Sequence, residues 1–225
     1  PVATLGLVHT VRRVIPGLSD LAAELLPDVR QLHYLDESVL QDAIALNGLS
    51  AGIIRRVRTL VQLAAERCEV VLVTCSSIGP AADIAAGECY VPVLRIDRPM
   101  AQEAVRTAQR VGVIATLGST LQPTTELVRR CAAEAEREVA VTPLLVAGAF
   151  AAASGGDQAT HDRLVLEGLQ GLLTGAEPVE TVLLAQASMA AVAAQLPDEL
   201  QARILSSPRS GLLQAGEVLR QVGHP

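Results

Sequence analysis

At 225 residues, half of them apolar, the chain can bury one large core or two of about 100 residues each. It holds no Trp, one Phe and two Tyr, so its interior must be Leu, Val, Ile and Ala, which suits helices laid over a parallel sheet better than a sandwich with aromatic anchors. The net charge is −6 and the Arg residues are scattered along helical patterns without a basic run, which argues against nucleic acid as a partner.

The first apolar run, Ala3 to Val8, reads as a strand ending at His9-Thr10 and leads to a helix from Pro16 to Leu26. A strand from Val29 to Leu35 follows. Asn47 or Ser50 then caps a long helix to Arg67, with apolar positions at Ile53, Ile54, Val57, Leu60, Val61 and Ala64. Next come the strand Val70 to Thr74, a helix over Pro80 to Ala86 and the strand Val91 to Ile96. Asp97-Arg98-Pro99 breaks the pattern and marks a boundary. Beyond it the order repeats: strand Val111 to Thr116, helix Pro123 to about Glu136, strand near Val139 to Leu145, a Gly/Ala/Ser loop to Gly156, a helix to about Leu173 and the strand Thr181 to Ala185. A last strand near Ile204 precedes Ser207-Pro208 and a closing helix, Gly211 to Val222.

Strands alternating with helical patterns of this length are βαβ units. The expected class is α/β, with two pseudo-symmetric domains, 1–97 and 98–208, each a short parallel sheet flanked by helices. The helix at about 209–223 is expected to pack back on the first, and the active site to lie in the cleft between the two. The duplication rests on two echoes. Glu69 to Ile78 recurs, shifted by 111, at Glu180 to Met189, and Leu5 to Thr10 recurs, shifted by 106, at Val111 to Thr116. A difference of a few residues between the shifts is ordinary loop variation. The first echo carries Cys75 where the second carries Gln186.

In parallel sheets ligands bind beyond the carboxyl ends of the strands, where loops and helix N-termini converge. His9-Thr10, Cys75-Ser76-Ser77, Thr116 to Thr120 and Gln186-Ala187-Ser188 occupy such ends. Their small side chains leave backbone N–H groups open to a carboxylate, so a small anionic acid is the expected ligand. Cys75 precedes a helix, whose positive end favours the thiolate and suits a thiol acid or base; the bland alternative is a small buried apolar residue. Cys68, Cys89 and Cys131 lack that setting and read as structural. Thr116 to Thr120 is a hydroxyl-rich loop that serves either an anion, through Thr116, Ser119 and Thr120, or only a helix cap. His9 is a candidate general acid or base, or else fixes its own loop. His33, His161 and His224 read as surface or packing residues. Asp36 caps a loop or faces the cleft.

The four cysteines show neither CxxC nor CxxH spacing, and nothing at the start of the chain reads as a signal peptide. Reduced thiols, no metal and a cytoplasmic protein are expected. No apolar stretch reaches about 18 residues without a charge or a breaker, so no membrane partner is expected. Homo-oligomerisation is left open.

Thr74-Cys75-Ser76-Ser77, Thr116 to Thr120 and Gln186-Ala187-Ser188-Met189 together resemble the aspartate/glutamate/hydantoin racemase family, and the resemblance runs from Leu5 to Arg209. It implies two pseudo-symmetric α/β domains and cofactor-independent chemistry on a small carboxylic acid, with two cysteines exchanging a proton at the carbon next to the carboxylate. Cys75 matches the first. Gln186 stands where the second is expected, and a carboxamide neither gives nor takes a proton at useful pH. The superfamily includes arylmalonate decarboxylase, similar in using one cysteine, and maleate isomerase, whose first-half cysteine attacks the substrate. The expected function is thus a cofactor-independent isomerase or racemase-family enzyme using Cys75, with Gln186 as a neutral donor to an oxyanion. The alternatives are a lyase decarboxylating a malonate-type acid and a catalytically silent acid-binding protein. Ser76, Ser77, Thr10, Ala187 and Ser188 complete the expected binding surface.

Overall fold

The computed structural model describes residues 2–223, and His224 lies outside them. The elements run β1 (Thr4–His9), α1 (Ile15–Leu25), β2 (Arg30–Leu35), α2 (Glu37–Ala45), α3 (Ala51–Ala65), β3 (Val70–Val73), α4 (Gly79–Ala86), β4 (Val93–Arg95) and α5 (Arg98–Thr107). They continue with β5 (Arg110–Ala115), α6 (Gly118–Glu134), β6 (Ala140–Leu145), α7 (Ala149–Ser154), α8 (Gln158–Thr174), β7 (Thr181–Leu184), α9 (Ala190–Ala193), α10 (Asp198–Gln201), β8 (Ile204–Ser206) and α11 (Ser207–Val222). Two compact units result, one ending at Pro99 and resuming at Pro208, the other running from Met100 to Ser207.

The first unit is a parallel sheet in the order β2-β1-β3-β4. Its central strands β1 and β3 are buried along their whole length, which is why they read as continuous apolar runs rather than alternating ones. One face is covered by α3 and α4 through Ile53, Val57, Val61, Ala81 and Ala85. The other is covered by α1 and α11 through Leu18, Ala22, Leu212, Ala215 and Leu219. The second unit repeats the plan as β6-β5-β7-β8, also parallel, with α5 and α6 over one face and α8 and α9 over the other.

The registers repeat as well as the order. Leu5 pairs with Val70 in the first sheet and Val111 with Thr181 in the second, while Val71 pairs with Val93 and Val182 with Ile204. The shifts of 106 and 111 carry each pair onto its counterpart.

Several elements differ from the sequence reading. Residues 37–45 form α2, because the Asp36 side chain accepts from the Ser38 N–H and caps it. Arg56 ties that cap to α3 by pairing with both Asp36 and Asp42. Ser50, not Asn47, caps α3 by accepting from the Ile53 N–H. Asn47 instead takes a left-handed conformation, φ 46°, past the end of α2. Arg98-Pro99, part of the break expected at residues 97–99, opens the helix α5, since proline is tolerated in a first turn. The Gly/Ala/Ser stretch holds α7, entered through Gly148 at φ 79°. α6 starts at Gly118 rather than Pro123, so Ser119 and Thr120 lie in a helical turn; Pro123 sits in its second turn, where it forgoes one backbone donor. Ser207-Pro208 opens α11 instead of preceding it, since proline is tolerated in a first turn.

Candidate functional site

In the first unit, Cys75 follows β3 directly and heads a short 3-10 turn, Ser76–Ile78, that runs into α4. It is half-buried, whereas Cys68 and Cys131 are buried. Burial raises the Cys68 thiol pKa, and burial with the Glu88 charge raises that of Cys89. Ser76 and Ser77, within that turn, are buried. Continuing the β1–β3 register past Val8–Val73 sets His9 beside Thr74 and Thr10 beside Cys75. The Thr10 hydroxyl is buried and has no hydrogen-bond partner.

His9 is fully buried, and both of its ring nitrogens are engaged. Thr74 Oγ1 lies 3.0 Å from the Val8 carbonyl and 2.9 Å from His9 Nδ1. A hydroxyl has one proton, and the carbonyl can only accept, so Thr74 donates to Val8 and His9 Nδ1–H donates to Thr74. His9 Nε2 must then accept from His33 Nδ1, at 2.9 Å, and His33 Nε2 accepts from the Ser19 hydroxyl at 3.3 Å. The two rings stack with centroids 5.1 Å apart. Desolvation, with the His33 charge second, lowers the His9 pKa from 6.5 to about 4. His9 therefore holds the β1–β3 edge under Cys75 rather than presenting a free nitrogen. His33, read from sequence as surface or packing, is an exposed residue that closes this chain.

A second buried support stands behind the turn. Arg95, at the end of β4, makes a two-pronged pair with Asp97, each contact 2.9 Å, and reaches Asp83 of α4 at 2.9 Å. A Cβ on Gly79 would fall 2.3 Å from the Arg95 guanidinium carbon, so the first residue of α4 is glycine because the guanidinium lies against it. Sequence reasoning missed this cluster, although an arginine ending an apolar strand, with an aspartate two residues on, was the available signal.

In the second unit, Gln186 follows β7 and heads the turn Ala187–Met189. Its backbone, φ −130° and ψ 127°, matches that of Cys75, φ −123° and ψ 117°. Each residue's carbonyl accepts from the N–H three residues on, 3.3 Å for Cys75 and 3.2 Å for Gln186. Thr116 sits beside Gln186 as Thr10 sits beside Cys75. The Thr116 N–H donates to Gln186 Oε1 at 2.6 Å, and its hydroxyl lies 3.0 Å from the same atom. Because a backbone N–H can only donate, the atom it meets is the amide oxygen, and the NH2 end points away from Thr116.

Ser119, in the first turn of α6, is buried with its hydroxyl unpartnered. Leu117 at the cap position offers no side-chain hydrogen bond. Thr120 is buried in the same turn, and Ala187 and Ser188 are exposed beside Gln186. Thr116, Ser119 and Gln186 thus gather at one end of the second sheet, and Cys75, Thr10, Ser76 and Ser77 at the matching end of the first. Asp36 is spent on capping α2. Among the described residues, no group of three or more His, Cys, Asp or Glu is placed to hold a metal ion. No helix among them is long and apolar enough to cross a membrane.

Two parallel sheets with repeated topology and register, each presenting a small polar turn at its carboxyl edge, define a duplicated α/β protein. The model of the Asp/Glu/Hydantoin racemase family matches residues 8–215, and the chain belongs to that family. Solved structures agree in fold. A glutamate racemase isoform from Bacillus anthracis shares 16% identity at TM-score 0.74, over 98% of this chain and 83% of that one. An aspartate racemase from Picrophilus torridus shares 11% at TM-score 0.63, over 98% and 94%, and an allantoin racemase from Klebsiella pneumoniae 16% at 0.61, over 98% and 87%. No curated protein matches the chain.

Proposed function

We propose that the protein is a cofactor-independent isomerase or racemase acting on a small carboxylic acid, with Cys75 as its proton-transferring or nucleophilic thiol and Gln186 as a neutral donor to the same substrate. The observation that carries this is the equivalence of Cys75 and Gln186: one backbone geometry at one position of a repeated unit, with a thiol in the first copy and an amide in the second. Gln186 has its oxygen occupied by Thr116, so its NH2 is the end available to an oxyanion. The unpartnered hydroxyls of Thr10 and Ser119 are donors of the kind a carboxylate needs.

In this reading the thiolate of Cys75 takes the proton next to the carboxylate, the electron pair moves onto the carboxylate as an enediolate, and the amide of Gln186 steadies the charge. The lack of a second thiol favours a second reading, one-face protonation after loss of carbon dioxide from a malonate-type acid. Incubation in deuterium oxide with D- and L-aspartate, D- and L-glutamate, allantoin, maleate and phenylmalonate, followed by proton NMR, tests both. Deuterium at the carbon next to the carboxylate, lost in Cys75→Ala, supports the isomerase reading, and carbon dioxide release supports the lyase. Saturable binding with no exchange would make the protein a silent acid binder and overturn the enzyme reading.

A further inference from the structure

The buried fork of Arg95 has no counterpart in the second unit. Val73 pairs with Arg95 as Leu184 pairs with Ser206, so the shift of 111 carries Arg95 onto Ser206. The same shift carries Gly79 onto Ala190, Asp83 onto Ala194 and Asp97 onto Pro208. Gly79 and Ala190 are each the first residue of the helix that follows the turn. Yet the turns headed by Cys75 and Gln186 share their backbone angles and their closing hydrogen bond. Such a turn therefore forms without a guanidinium, two carboxylates or a glycine behind it. Net stability is not a sufficient reason for the cluster either, because the desolvation of a buried ion pair about offsets its attraction when apolar residues are the alternative.

The two turns differ in whether the head residue can anchor itself. Gln186 is tied to Thr116 through its amide oxygen, which meets both the N–H and the hydroxyl. Cys75 carries no atom that reaches Thr10, whose hydroxyl stays unpartnered. The first turn is held from its other end instead. Arg95 is 3% exposed; its Nε and Nη2 donate to Asp97, and its Nη1 donates to Asp83 in α4. The guanidinium lies against Gly79, where a Cβ would collide with it. Gly79 directly follows Ile78, whose N–H closes the turn on the Cys75 carbonyl. The end of β4 is itself a fixed support. The Ile96 N–H donates to the Val73 carbonyl at 3.0 Å, and a Cβ on Gly211 of α11 would lie 2.9 Å from Ile96 Cα.

We infer that Arg95 is the positioning residue of the first unit: its fork joins the start of α4 to the end of β4 and so fixes the turn that carries Cys75. The contact between Gln186 and Thr116 performs the same task in the second unit. This rests on the function proposed above only in taking Cys75 as the working thiol. Arg95 acts through the turn, and no bond is made or broken at it.

The test is a double-mutant cycle between the anchor and the head residue, read by amide hydrogen exchange on the 15N-labelled full chain. Arg95→Met is expected to speed exchange of the Ile78 amide about tenfold, and Arg95→Lys, which keeps a cation beside Asp97 but cannot fork, about threefold, with the Leu72 amide of β3 unchanged. In Cys75→Gln the new amide can meet Thr10 as Gln186 meets Thr116, so either Arg95 substitution should then change Ile78 exchange less than about twofold. A residue that merely stabilised the unit would give equal increments whichever residue heads the turn, and equal increments overturn the inference. Unchanged Ile78 exchange in both Arg95 variants also overturns it. If Arg95→Met speeds Leu72 as much as Ile78, the unit as a whole is opening, and Arg95→Lys decides by the same two criteria. Failure of every acid to take up deuterium in the wild type would remove the proposed function and leave this pattern of exchange as it stands.

Discussion

Acid should weaken the first unit through His9, and the size of the effect follows from its burial. The ring is fully buried, and its pKa falls from 6.5 to about 4 because desolvation, reinforced by His33, opposes its charge. Unfolded, His9 takes up a proton near its ordinary pKa; folded, it refuses one until the pH nears 4. The unfolded state therefore binds more protons between these values, and stability present above 6.5 is lost as pH falls through that window. The shift is about 2.5 units at about 1.4 kcal/mol each, so the His9 contribution is roughly 3 kcal/mol lower near pH 4 than near pH 7.5. His9→Asn keeps a donor for Thr74 and removes the titration. Urea unfolding followed by circular dichroism, since the chain has no Trp, gives the free-energy difference between wild type and variant at each pH. That difference should shrink by roughly 3 kcal/mol from neutral to acid. Parallel curves over the whole range would refute the placement of His9 as a buried neutral group.

Cys75 should react with limiting iodoacetamide ahead of the other three thiols, because Cys68 and Cys131 are buried and burial raises the Cys68 and Cys89 pKa values; preferential labelling of any other cysteine counts against the site. Gly79→Ala should cost about 1–3 kcal/mol in urea unfolding, as overpacking does, since its methyl would fall 2.3 Å from a guanidinium pinned by two carboxylates; wild-type stability in this variant would contradict that packing. A small carboxylate should raise the melting temperature by mass action, and Thr116→Val or Ser77→Val should blunt the rise; no shift with any acid tested removes the main support for an anion site. Gln186→Cys should create or raise racemisation of the native ligand or a close analogue, and efficient racemisation of aspartate or glutamate by the unmodified chain would mean that Gln186 has been overvalued.

The strands were legible because each central one is apolar on both faces and ends in a polar, small-residue turn; Val70–Val73 followed by Thr74-Cys75-Ser76-Ser77 states both facts in eight residues. The repeat was legible because β1 and β5, and β3 and β7, occupy equal places in their sheets and so face equal packing demands. Three helices were not. α2 depends on a cap that is itself ambiguous, since Asp36 is as good a loop residue as a helix start until Arg56 is known to hold it. α7 is an alanine-rich turn between glycines, too short to show a period. α5 begins on Arg98-Pro99, a pair that reads as a break until proline is placed in a first turn. The histidine chain could not be read at all, because His9, His33 and Thr74 meet across three strands and each is separately unremarkable in sequence.

The two units solve the same local problem in different ways. Beyond its central strands, each places a threonine next to the residue that heads the turn. In the second unit the long Gln186 side chain folds back, and its oxygen satisfies Thr116 through both N–H and hydroxyl. In the first, Cys75 is two atoms shorter and cannot reach back, and the Thr10 hydroxyl is left buried and open. At the second edge the Gln186 amide is closed onto Thr116 while the buried Ser119 hydroxyl in the first turn of α6 stays unpartnered, and at the first edge the Thr10 hydroxyl does. An unmet buried hydroxyl costs about 1–3 kcal/mol, a cost that a bound carboxylate would relieve. Each edge thus keeps one unmet hydroxyl, and what differs between them is the residue that heads the turn, a thiol in one unit and an amide in the other. A carboxamide neither gives nor takes a proton at useful pH, so the turn headed by Gln186 offers hydrogen bonds where the turn headed by Cys75 offers an ionisable group.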